Sequence, residues 1–397
     1  MEKRVAVTGM GIVSALGIGA DASFEALIAG KTAIEFPKIL STSHKEFPVG
    51  EVKLSNESLA ETLQLPANHS FTRAALLGTL AVKEALEQAE LEVSELENTA
   101  FISGTSVGGI DSTEQFYYQF KDHPEVRRFI EAQHPGFTTS QIASYFAFKG
   151  LTGTVSTACS SAANAIMTGA RLIKFGKIKR VVVGGTDCLT KFTLNGFNSL
   201  KILSSEVCKP FEDERNGLNL GEGAAYLILE AEDVLAKKPV LGYLAGYGNA
   251  NDAFHQTASS ENGEGSFLAM KKALESAEIS SNEIDYINAH GTATPNNDLS
   301  ESVAIKRIFE EKLPAISSTK AFTGHSLGAA GGIEAVFSLL AIQKSTIFPN
   351  LNFTAPMRET QLFPVTKTRI ADLNFVLSNS FGFGGNCTSL IFSKDEK

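Results

Sequence analysis

Short runs of β-branched and aliphatic residues alternate along this chain with longer stretches in which apolar positions recur every third or fourth residue. The runs RVAVTG (4–9), TAFISG (99–104), GTVSTA (153–158) and RVVVGG (180–185) end in glycine or small residues, which predicts buried strands. Residues 71–91 and 265–279 carry the helical period and predict amphipathic helices. Such alternation implies a layered α/β fold. A weak internal echo accompanies it. Residues 154–178, TVSTACSSAANAIMTGARLIKFGKI, read as strand, small-residue turn and Ala/Gly-rich helix, and AISSTKAFTGHSLGAAGGIEAVFSLLAIQKS (315–345) repeats that order. Two similar halves would each present one such turn. No proline- or serine-rich linker divides them, so one unit is expected, with the aromatic- and turn-rich residues 107–150 as an inserted surface element.

The bulk numbers narrow the class. With 397 residues, 43% hydrophobic, 20% charged and no tryptophan, the chain has the composition of a folded globular protein. Its net charge of −9 and the absence of a basic stripe give no reason to expect a nucleic-acid partner. The opening MEKRVAVTGMG breaks into glycine too early for a secretory signal, and no uncharged stretch approaches the ~20 residues of a bilayer span, so a cytoplasmic location is expected. The four cysteines, Cys159, Cys188, Cys208 and Cys387, form no C-x-x-C pair and no metal-ligand spacing with the seven histidines; neither disulfide nor zinc is expected.

Candidate chemistry then has to be weighed motif by motif. VTGMGIVSALG contains G-x-G at Gly9 and Gly11, but the sixth position is Ser14 and no acidic residue closes a second strand, so tight backbone packing is favoured over a dinucleotide loop. GHSLG (324–328) matches the G-x-S-x-G elbow, yet His325 is the last histidine, leaving Ser326 without the later histidine such hydrolases use. Cys159 sits where a strand gives way to a helix, a place where N–H groups and the helix dipole favour a thiolate. A buried inert cysteine accounts for that position equally well. NAHGTATP (288–295) delivers His290 from a strand to a turn beside Thr292 and Thr294, hydroxyls suited to a polar ligand arm. Lys320 and His325 precede a helix whose glycines, at ~1 kcal/mol each relative to alanine, require a close approach. SNSFGFGGNC (378–387) offers a turn with exposed N–H groups, in which Phe381 and Phe383 could gate a pocket; a plain β-turn with packed aromatics is the alternative.

Taken together and in order, TACSSA, NAHGTATP, STKAFTGHSLGAAG and SNSFGFGG resemble the elongating β-ketoacyl-acyl-carrier-protein synthases of the thiolase superfamily, over essentially the whole chain. The resemblance implies a five-layered αβαβα fold of two similar halves. Residues 1–250 would carry the nucleophile, 251–397 the two histidines, and 107–150 an inserted cap or dimer element. It implies Cys159 as nucleophile, His290 and His325 as catalytic histidines, Lys320 organising the second histidine, and Glu301 supporting that network. Phe383 would be the gate, its N–H and that of Cys159 forming the oxyanion hole, with Thr292, Thr294 and Phe381 binding substrate. The implied reaction is decarboxylative condensation of an acyl thioester with malonyl-acyl carrier protein in type II fatty-acid synthesis, or alternatively in a specialised polyketide or aryl polyene pathway. No cofactor is implied beyond the phosphopantetheine the substrates carry. Acyl carrier protein, docking on Arg127, Arg128 and Lys201, and a second subunit, identical or chain-length-factor-like, are the implied partners. Asn386 and Cys387 depart from the threonine and asparagine that usually follow GFGG in the family.

Overall fold

A computed structural model of the chain describes residues 4–235, 238–310 and 312–395. The strands that build its main sheet are β1 (Val5–Ser14), β2 (Ala100–Gly104), β3 (Thr152–Val155), β4 (Arg180–Asp187), β5 (Gly223–Ala231), β6 (Gly242–Asn251), β7 (Tyr286–Asn288), β8 (Ala315–Ser317), β9 (Phe375–Phe381) and β10 (Asn386–Ser393). Hydrogen bonding joins them in the order β3-β2-β4-β5-β1-β6-β10-β9-β7-β8. The order is a repeat. Within each half the third strand lies outermost, followed by the second, fourth, fifth and first. The parallel pairs, β2 with β3 and β4 and β7 with β8 and β9, recur in equivalent places, as do the antiparallel pairs β4–β5–β1 and β9–β10–β6. The halves meet where Ala6 and Val7 pair with Tyr243 and Gly242. Strand order therefore starts the second half at Gly242, ahead of the 250/251 division expected from the sequence.

Side-chain alternation along the strands explains the layering. Val181, Val183, Leu227 and Leu229 point into a central core with Val376, Leu390 and Phe392 of the other half. Val182, Tyr226 and Ile228 point the opposite way, under helix α1 (Arg73–Gln88), and Ile287, Leu377 and Ile391 point under α3 (Glu264–Ala277) and α4 (Pro295–Phe309). Each fully buried aliphatic side chain contributes about 1.5–3 kcal/mol, so neither face of either half can be left open. The central layer consists of α2 (Ser161–Lys174) and α5 (Ala330–Gln343), the two Ala/Gly-rich helices of the sequence echo. They cross so closely that a Cβ on Gly331 would stand 2.9 Å from the Ala163 methyl and 3.0 Å from its backbone nitrogen. The outcome is the five-layered αβαβα fold.

Two local expectations are corrected. β1 does not stop at a G-x-G turn: it runs through Gly9 and Gly11, which pair with Ile228 and Tyr226, and a Cβ on Gly11 would lie 2.0 Å from the Ala81 carbonyl oxygen of α1. The 153–158 run is not a buried strand. β3 ends at Val155, is half exposed and forms the sheet edge, because Ala158 takes a left-handed φ of 52° that bends the chain into α2. The insert folds as a helix over Ile110–Phe116, 3-10 turns through Pro124–Gln133 and a helix over Pro135–Tyr145. No helix among the described residues is long and apolar enough to cross a membrane.

Candidate active site

Both small-residue turns of the repeat open onto one cavity of about 360 Å³, walled by Cys159, His290, His325, Phe381, Phe383 and Phe197. Cys159 stands just before α2. The turn is locked by Ser161, whose Oγ donates to the Ala158 carbonyl at 2.6 Å and accepts from the Thr157 N–H at 2.9 Å. The equivalent turn ahead of α5 carries His325, held through its backbone by the Asn219 carbonyl (2.7 Å) and the Gly221 N–H (2.9 Å). That anchoring places His325 Nε2 3.0 Å from Cys159 Sγ. His290 comes from the loop after β7, and its ring meets the His325 ring edge-on with centroids 5.3 Å apart. The third element is the turn after β9. Its Phe383 N–H points at Cys159 Sγ, and its Phe383 ring stacks on Phe197 at 5.7 Å.

Burial governs the electrostatics. It pushes the Cys159 thiol up to about 12, against the opposing pull of Lys320 and the Phe383 N–H. The thiolate expected from the helix terminus is thus not the resting state: a dipole effect of about 0.3–1 kcal/mol is less than one pKa unit. Burial likewise holds His290 and His325 well below the usual imidazole value, with the Lys320 charge pushing the same way. Both rings are neutral at pH 7. The tautomer of His290 follows from its neighbour. Lys320 Nζ, an ammonium with donors only, lies 3.3 Å from Nδ1, which must accept, so the proton resides on Nε2.

Lys320 thus contacts the first histidine, not the second as the family resemblance implied. The reason is its other partner: Lys320 pairs with Glu334 of α5, fully buried like itself. Burial pushes the Glu334 carboxyl up to about 7, with Lys320 pulling back. Glu334 is a site residue absent from the sequence expectations; an acid within an otherwise apolar, Gly-rich buried helix is the signal that marks it. Glu301, among the described residues, hydrogen-bonds to the loop that carries His290 and to its neighbour Asn379. Its carboxylate accepts the backbone N–H groups of His290 (2.9 Å) and Gly291 (2.8 Å) and the Asn379 amide (3.1 Å), fixing the loop rather than the lysine. Burial raises it to about 7.

The remaining expected residues divide. Thr292 and Thr294 line the cavity with hydroxyls 3.0 Å apart, and Phe381 lines it 5.8 Å from the His290 ring. Lys201 also lines it. Arg127 and Arg128 do not. Arg127 donates to the Phe120 and Lys121 carbonyls at 3.0 Å each, and Arg128 lies 5.0 Å over the Phe129 ring, both within the insert. Asn386, at the departure from the usual motif, accepts from Ser160 Oγ and Asn164 Nδ2 at 2.8 Å each, joining the GFGG turn to α2.

Comparison with known proteins places this geometry. Residues 2–234 match the β-ketoacyl synthase N-terminal domain, and residues 241–354 match its C-terminal domain. The chain is 34% identical over 415 residues to 3-oxoacyl-[acyl-carrier-protein] synthase 2 of Staphylococcus aureus (strain COL), covering 100% of this chain and 99% of the other. Among solved structures it superposes on the ishigamide ketosynthase/chain length factor with a TM-score of 0.93 at 28% identity, covering 100% of both chains. On a ketosynthase in complex with its chain length factor from Xenorhabdus doucetiae the TM-score is 0.86 at 33% identity, with 98% of each chain covered. The chain belongs to the β-ketoacyl synthase family.

Proposed function

We propose that the protein is a β-ketoacyl-acyl-carrier-protein synthase of type II fatty-acid elongation, in which Cys159 carries the growing acyl chain. The observation that carries this reading is the 3.0 Å contact of Cys159 Sγ with His325 Nε2, in one cavity with a neutral His290. In the first half-reaction Sγ attacks the acyl thioester and the C–S bond to the carrier breaks. The departing carrier sulfur takes the Cys159 proton, leaving acyl-Cys159 and the carrier thiol. The tetrahedral oxyanion is received by the N–H groups of Cys159 and Phe383; removing one such donor typically costs about 3 kcal/mol.

In the second half-reaction malonyl-carrier protein enters and loses CO2, and the electron pair of the broken C–C bond forms a thioester enolate. The Nε2–H groups of His290 and His325 donate to its oxygen. Two neutral donors suit this role, because the negative charge then appears in a dry site already arranged for it. The enolate carbon attacks the acyl carbonyl, the C–S bond to Cys159 breaks, and the released sulfur takes one proton from solvent to restore the resting thiol. Thr292 and Thr294 face the incoming phosphopantetheine arm, and Lys320 with Glu334 holds His290 in its donor tautomer.

The partners follow from the chemistry and the sheet. Acyl carrier protein delivers both substrates, with Lys201 at the cavity. The open edge of β3 is supplied by a second subunit, a copy of this chain or a chain length factor such as accompanies the Xenorhabdus doucetiae ketosynthase. The similarity to that protein also supports a second reading, a ketosynthase of a specialised polyketide pathway. Intact-mass analysis after incubation with a panel of acyl carriers tests both. Parent protein gains one acyl group and Cys159→Ala gains none, and the accepted acyl group separates a saturated chain from a polyketide. Condensation by Cys159→Ala would overturn the assignment.

A further inference from the structure

Asp187 ends β4 fully buried, and its two oxygens collect donors from separate segments of the chain. Thr105 Oγ1 donates at 2.5 Å, the Ser106 N–H at 2.8 Å, the Val107 N–H at 3.2 Å and the Gly328 N–H at 2.7 Å. Both routes lead to the reacting groups. Ser106, once held by Asp187, donates its own Oγ to the carbonyl of Ala158 at 3.0 Å. Ala158 is the left-handed residue that turns the chain into Cys159. Gly328 belongs to the short turn Leu327–Ala329 that follows His325 and leads into α5.

We propose that Asp187 is a positioning residue for the Cys159 chemistry, a single carboxylate that braces the Cys159 turn through Ser106 and the His325 turn through Gly328 and so sets their separation. The proposal rests on the reading of Cys159 as the nucleophile. A carboxylate is required because the donors converge on two acceptor oxygens. An asparagine has one such oxygen and would turn an NH2 group towards further N–H or O–H donors. Position, rather than charge, is the useful contribution. The negative charge of Asp187 by itself raises the Cys159 thiol and so opposes reactivity. The two effects of removing it have opposite signs, which makes them separable.

The test is the rate at which iodoacetamide alkylates Cys159, followed by peptide mass mapping on the full-length protein, for the parent, Asp187→Asn and Ser106→Ala. Circular dichroism confirms folding, and kcat and KM are measured with acyl carrier protein substrates. Loss of the brace predicts Cys159 alkylation lowered by about tenfold or more in Asp187→Asn. It also predicts kcat lowered by about a hundredfold at nearly constant KM, the scale of a misplacement near 1 Å. Ser106→Ala, which cuts only the arm to Cys159, changes both in the same direction by less. Alkylation that is unchanged or faster in folded Asp187→Asn overturns the proposal. If that variant does not fold, Ser106→Ala decides alone: parent-like alkylation and kcat overturn it. Failure of the parent to form acyl-Cys159 would instead overturn the functional reading, because alkylation measures the brace without any condensation.

Discussion

Around Cys159, the loss of water decides more than any single contact. It keeps the thiol protonated, keeps both imidazoles neutral and leaves Lys320 as the charge that tunes them. Lys320 pushes both histidines downward, so Lys320→Met lets both rise and moves the acid limb of the kcat–pH profile to higher pH; an unmoved limb would refute this coupling. The sign for stability follows from the same shifts. Histidine in the unfolded chain takes up its proton near 6.5, while the native rings resist it, so the histidines' contribution to stability falls as pH drops below about 6.5, against an opposing gain from Glu301 and Glu334, whose carboxyls take up protons near 7 in the fold. In Lys320→Met that fall is shallower, as urea titrations at several pH values would register. The glutamate left behind need not remain as a bare buried charge, since burial already pushes the Glu334 carboxyl up to about 7. Cys159, His290, Lys320 and His325 were legible because each lies in a short motif whose neighbours are small or hydroxylated. Glu334 and Asp187 were not, because their partners come together only when helices and strands from distant segments pack.

At the level of elements, α2 and α5 decide how near the two catalytic turns can come. Gly331→Ala isolates that effect. Replacing glycine within a helix gains about 1 kcal/mol of propensity, whereas overpacking costs typically 1–3 kcal/mol. Part of what the new methyl meets is the Ala163 backbone nitrogen, with Ser380 Oγ at 2.7 Å, so relief by side-chain rotation is limited. Net destabilisation of about 1–2 kcal/mol is expected in urea unfolding, with slower acylation of Cys159, and a stabilised variant would show that the helices do not press together there. The same helices show what periodicity can reveal. The amphipathic segments at 71–91 and 265–279 fold as Arg73–Gln88 and Glu264–Ala277, within one to three residues of the expected ends, the first capped by Thr72. The strands were harder to bound. β1 crosses two glycines because α1 packs directly on its backbone, and β3 stops short because a left-handed residue turns the chain; neither condition is local to the sequence that obeys it.

Over the whole molecule, the repeat leaves one edge of the first half conspicuously unprotected. β3 closes the sheet at that end with the sequence TGTV, lacking the charge, proline or bulge with which a solvent-facing edge is normally guarded. Leu151 beside it is 54% exposed, and Tyr145, at the end of the neighbouring helix, is 37% exposed. The carbonyls of Leu151 and Val155 accept from Phe101 and Thr105, so they face inward. By strand alternation, the N–H and C=O groups of Thr152 and Thr154 face outward. A second subunit whose own edge lies alongside would satisfy those groups and cover Leu151. Thr152→Pro tests this with little disturbance to the sheet itself, since it deletes an outward N–H and leaves the β2 pairing intact. Sedimentation velocity of the parent should give a dimer and Thr152→Pro a shift to monomer at unchanged secondary structure by circular dichroism. A variant that stays dimeric would place the subunit contact elsewhere. Because β3 leads directly into the Cys159 turn, monomerisation should also lower the rate of Cys159 acylation.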